Sequence, residues 1–103
     1  MIWDKILSMN TQFPFLQKTP PEIERLISER VRAIRKKRKI SQQKLSEISG
    51  VSLGSLKRFE RSGEISLLSL TKIAIALDID DKLAHLFEDV PPLSIEEILN
   101  GKD

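Results

Sequence analysis

From Glu22 onward the apolar residues recur at intervals of three and four. Ile23, Leu26, Ile27, Val31 and Ile34 fall on one face of a helix predicted to run to about Lys37. Thr19-Pro20-Pro21 supplies its start, with a threonine N-cap and prolines that a first turn tolerates. Ser41 then caps a second helix with Leu45 and Ile48 facing inward, and Ser52 caps a third with Leu56 and Phe59 inward. Gly50 lies between these two, and Gly63 ends the third as a left-handed C-cap. Residues 66–77 are the most apolar stretch. There Leu67, Leu70, Ile73, Ala74 and Leu77 form the core stripe of a fourth helix, leaving Leu68 and Ile75 to the side. Asp80 or Asp81 opens a short fifth helix carrying Leu83, Leu86 and Phe87, which Pro91-Pro92 stops. Ser94 and Glu97 are spaced as a capping box for one last turn. The expected fold is all-α: a compact five-helix domain joined by short turns.

Residues 1–21 are read as an N-terminal arm. Trp3, Ile6, Leu7 and Met9 have helix-like spacing, but Phe13-Pro14-Phe15 and Pro20-Pro21 interrupt it. One short helix or strand and a plain terminus are both open here, and Met9 is an alternative start. The apolar part of the first seven residues is broken by Asp4 and Lys5, unlike a secretory signal, and no apolar run reaches the length of a membrane span. A cytoplasmic protein with no membrane association is expected. The 103 residues contain no cysteine, which excludes disulfides, thiolate catalysis and thiolate metal sites.

The net charge of +2 conceals an asymmetry. Residues 1–77 hold 15 basic and 7 acidic side chains, a balance of +8, whereas residues 78–103 hold 2 and 8, a balance of −6. A basic body with an acidic end suits a nucleic-acid binder whose tail faces away from the phosphates. The run Arg35-Lys36-Lys37-Arg38-Lys39 is the loudest part of that signal. A basic run alone is often only solvated, but this one directly precedes the two helices that meet at Gly50.

Those helices, spanning Ser41 to Glu60, can place one in a DNA major groove while the other holds it against the backbone. At about 100° per residue, Leu53, Gly54, Lys57, Arg58 and Arg61 share an arc opposite Phe59 and away from Leu56. Arg58 and Lys57 can donate to guanine O6 and N7, Leu53 can meet a thymine methyl, and Gly54 permits close approach. Ser52, Ser55, Arg61 and Ser62, the backbone N–H of Gln42, and Lys36, Lys37, Arg38 and Lys39 are the candidates for phosphate.

Several motifs carry a family resemblance. Ser41-Gln42-x-x-Leu45, Gly50-Val51-Ser52, Leu56-x-x-Phe59-Glu60 and Leu67-x-x-Leu70-x-x-Ile73-Ala74-x-Ala76-Leu77 resemble the helix-turn-helix of phage repressors (Cro/CI) and xenobiotic-response-element regulators. The resemblance covers roughly residues 28–88 and departs at Ser46 and Ser49, where the family favours alanine and an apolar residue. It implies sequence-specific DNA binding, and an ion pair between Arg35 and Glu60. The chain then divides into the arm at 1–21, a helix-turn-helix domain at 22–90 and a tail at 91–103. Residues 52–60 and 63–70 also look like HipB-like antitoxins, which implies a homodimer that represses its own operon and binds a HipA-like kinase toxin.

Competing chemistry finds little support. His85 is the sole histidine, Glu96 and Glu97 point apart on a helix, and no serine has a base at recognisable spacing. No metal, no cofactor and no enzymatic activity are therefore expected. Leu68, Ile75, Leu83 and Leu86 exceed what a core of this size must bury, and they are either absorbed by a larger core or form a dimer surface. Two-fold pairing would double the base contacts and call for an inverted-repeat operator. The alternative is a protein-interaction module in which the acidic end and the Trp3 arm dock a partner. A membrane-surface helix is disfavoured because the basic run has no leucine-rich face beside it.

Overall fold

The computed structural model describes residues 18–93 together with 99 and 100. The arm around Trp3 and the capping box at Ser94 and Glu97 lie outside these residues. Five helices follow in order: α1 Pro20–Lys37, α2 Gln42–Ser49, α3 Leu53–Ser62, α4 Leu67–Ala76 and α5 Asp80–Ala84. Among the described residues there is no strand. The all-α, five-helix architecture expected from the apolar spacing is the one found.

Side-chain oxygens start four of the helices. Thr19, Ser41, Ser52 and Ser66 each sit outside the helix and accept from the backbone N–H three residues on. Two helices end on glycine, Gly50 at φ 77° and Gly63 at φ 87°. The space around the two differs. A Cβ at Gly50 would meet nothing, but at Gly63 it would lie 2.7 Å from the backbone carbon of Glu24. Gly63 is therefore both the cap of α3 and the point where α3 presses directly on α1.

α1 and α4 end by a different device. Lys39 and Asp78 adopt left-handed φ of 57° and 58°. Ile40 N–H then donates to Arg35 O and Ile79 N–H to Ala74 O, the long bond of a Schellman motif. In both motifs the next residue, Ile40 or Ile79, packs on the core. That burial offsets the cost of about 1 kcal/mol of holding a non-glycine residue in this region.

The core is Val31, Leu45, Val51, Leu56, Phe59, Ile73, Ala74 and Leu77, contributed by α1 to α4 and the turns after α2 and α4. α1 packs on α3, while α2 bridges α3 and α4 and α5 rests on α4. Three expectations need correction. Ile48 is 47% exposed and Leu67 69%, because α2 and α4 meet the core through a narrower stripe than their apolar residues suggest. Ile23 and Ile27 are exposed too, because the packed face of α1 runs through Glu24, Ser28, Val31 and Arg35, to one side of them. Finally, α5 stops at Ala84, which leaves Leu86 and Phe87 in turns, with Phe87 at φ 67° and 78% exposed.

Candidate nucleic-acid interface

The turn between α2 and α3 is built by hydrogen bonds as well as by Gly50. Ser46 Oγ donates to Val51 O at 2.6 Å, and Ser49 Oγ accepts from Val51 N–H at 3.1 Å. The two serines that depart from the usual pattern thus tie both backbone groups of Val51, whose side chain is buried. With Leu56 and Phe59 fully buried, α3 is fixed in rotation, and its opposite face carries Gly54, Lys57, Arg58 and Arg61, all exposed, with Leu53 half-buried at the edge.

Behind α3 lies a second anchor. Arg35 Nε and Nη2 donate to the two oxygens of Glu60 at 2.6 and 2.8 Å, and Arg35 Nη1 donates to Ile40 O at 2.8 Å. The paired side chains are 8% and 4% exposed. Gln42 Nε2 adds a bond to Glu60 Oε1 at 2.9 Å, and Arg32 approaches the same oxygen at 3.7 Å. Burial on its own would raise the pKa of Glu60. The hydrogen bonds from Arg35 and Gln42, with the charges of Arg35 and Arg32, outweigh it and hold the carboxyl below its usual range. One arginine so joins α1, the turn after it and α3. The participation of Arg32 and Gln42 was not legible beforehand, since neither has a sequence spacing to Glu60 that marks it.

The candidate phosphate residues divide. Lys36, Lys37, Arg38 and Lys39 are all exposed, at the end of α1 and in the turn that leads to α2. Gln42 begins α2, where backbone N–H groups lack intrahelical acceptors, although its side chain belongs to the Glu60 cluster. Ser52 and Ser55 are exposed and bonded to each other across the first turn of α3. Ser62 is engaged otherwise. Its hydroxyl donates to Arg58 O at 2.7 Å and accepts from Glu64 N–H at 3.2 Å, so it closes the end of α3 and its proton is not offered outward. Arg58 is also paired, through Nε and Nη2, with Glu64.

Of the apolar residues assigned to a dimer surface, Leu68, Ile75 and Leu86 are 65, 60 and 53% exposed, while Leu83 is half-buried. Ile75, Leu83 and Leu86 share a shallow cavity with Leu67 and Phe87, and Leu68 does not line it. His85, at the end of α5, is exposed and its Nδ1 lies 2.7 Å from Asp81 O. Among the described residues no cluster of side chains could hold a metal ion, and no helix is long and apolar enough to cross a membrane.

The basic surface, the rotation-locked α3 and the turn at Gly50 thus lie in one contiguous stretch, from the end of α1 to the end of α3. The helix-turn-helix family model matches residues 31–83, which runs from the middle of α1 into α5. No curated protein and no solved structure matches the chain. A domain of this kind points to sequence-specific DNA binding and transcription regulation. The match spans more than half of the chain, and the chain belongs to the helix-turn-helix family.

Proposed function

We propose that the protein is a homodimeric, sequence-specific transcriptional repressor that binds an inverted-repeat operator, including one at its own promoter. The observation that carries the reading is the exposed arc of α3, backed by two fully buried side chains and flanked by four exposed cations at 36–39. Leu53, Gly54, Lys57 and Arg58 read base edges. Lys36, Lys37, Arg38, Lys39, Ser52, Ser55, Arg61 and the backbone of Gln42 set affinity through phosphate. Ile75, Leu83 and Leu86, with Leu68 beside them, supply the surface between two copies. The role is regulatory, not enzymatic, and belongs in the cytoplasm.

The test is binding to a fragment of the protein's own promoter and to a random duplex over a salt series. Arg58→Ala loses the preference for the promoter. Lys37→Ala weakens both duplexes about equally and reduces the salt slope by about one. If both variants bind both duplexes as the parent does, α3 is not the reading helix.

The exposed apolar cluster of Leu67, Ile75, Leu86 and Phe87, beside Asp78, Asp80 and Asp81, favours a second role as a docking surface for a partner protein. With the HipB-like pattern of residues 52–70, that partner would be a HipA-like kinase toxin encoded in the neighbouring reading frame. Pull-down with a Phe87→Glu chain, beside chains lacking residues 1–18 or 91–103, separates the two roles: loss of the partner with DNA binding intact assigns docking to this cluster in the first case and to the ends in the others.

A further inference from the structure

In the free protein the Arg58 guanidinium is held in place. Its Nε at 3.0 Å and Nη2 at 2.7 Å both donate to Glu64 Oε2, six residues on and just past the Gly63 cap. The two side chains are 63% and 53% exposed. The backbone that carries Glu64 is anchored from behind. Glu64 N–H donates to Ser62 Oγ, which donates in turn to Arg58 O, and the preceding Gly63 is packed on α1 with no room for a Cβ. Arg58 and Glu64 are thus two points on one stiff corner.

A guanidinium has two edges that donate in pairs. Glu64 takes the Nε and Nη2 edge, which leaves the Nη1 and Nη2 edge for another acceptor. Guanine N7 and O6 accept such a pair. We propose that Glu64 is a specificity-determining positioning residue. It holds Arg58 with its outer edge toward a guanine, while its negative charge weakens binding to any duplex alike. This rests on α3 being the reading helix. The pair is exposed, so its removal costs the fold little and its effect belongs in binding.

The probe is a duplex selected by the parent protein from a random pool, compared with versions changed at the guanine where Arg58→Ala loses discrimination. Glu64→Ala should reduce discrimination at that position about two- to fivefold, the scale of an exposed ion pair. Its binding to random duplex should rise and its melting temperature stay that of the parent. Glu64→Gln, which keeps an acceptor oxygen, should retain part of the discrimination. In an Arg58→Ala background, Glu64→Ala should change discrimination no further. Unchanged or increased discrimination in Glu64→Ala, or the same loss in the Arg58→Ala background, overturns the proposal and leaves the pair a surface contact. A parent that selects no sequence, or an Arg58→Ala variant that keeps the preference, overturns the reading of α3 itself and this proposal with it.

Discussion

Three donors converge on the carboxylate of Glu60: two from Arg35 and one from Gln42. Because the side chain is 4% exposed, removing its charge leaves Arg35 buried without compensation. Glutamine keeps an acceptor oxygen for Arg35, so Glu60→Gln is expected to cost about 1–3 kcal/mol at neutral pH, a fall in Tm on the order of 10 °C. The pH dependence has a definite sign. The folded carboxyl titrates below its usual range, so its contribution is complete above the unfolded value of about 4.3 and is lost as pH falls through the lowered value. Thermal melts from pH 7 to pH 3 should therefore show parent and variant converging on the acid side. A constant gap across that range would mean that the charge of Glu60 does not hold the pair. The partnership of Arg35 and Glu60 was legible only through family resemblance, as nothing in a spacing of 25 residues implies contact.

At the scale of elements, helix starts were the most legible features, because a serine or threonine ahead of an apolar period acts locally. Thr19, Ser41 and Ser52 cap as their positions require. The left-handed turns at Lys39 and Asp78 were not, although the end of α1 near Lys37 was, since those turns are held by the burial of Ile40 and Ile79, a tertiary effect. The glycines of α3 separate two meanings of the same residue. Gly54 has negative φ and open space around it, whereas Gly63 has φ 87° and a close backbone neighbour. Gly54→Ala should raise stability by up to about 0.5–1 kcal/mol and weaken DNA binding if the groove approaches there. Gly63→Ala should cost about 1–3 kcal/mol through strain and displacement of α1. Denaturant melts of both variants, paired with DNA titrations, check this. Stronger DNA binding by Gly54→Ala would remove that residue from the interface.

For the molecule as a whole, the exposed apolar residues of α4 and of the turns after α5 gather on one surface, around a shallow cavity lined by Leu67, Ile75, Leu86 and Phe87. Ile75 is 60% exposed, so Ile75→Glu should leave the fold intact, lower the self-association seen by sedimentation, and weaken binding to an inverted repeat more than to a single half-site. A mass in solution unchanged from a dimeric parent would place the interface elsewhere. Apolar periodicity and capping chemistry alone determined the five helices of the described residues, the capped starts at Thr19, Ser41 and Ser52, the turn at Gly50 and the basic face, because these depend on residues within a turn or two of each other. Burial was decided only by tertiary structure. Leu67 and Leu77 look equivalent in the pattern, yet one is 69% exposed and the other 1%, since a helix of fixed period does not reveal which part of its stripe another helix covers. The same holds for Glu64: its pairing with Arg58 sits at a corner where Gly63 presses on α1, a contact between residues far apart along the chain.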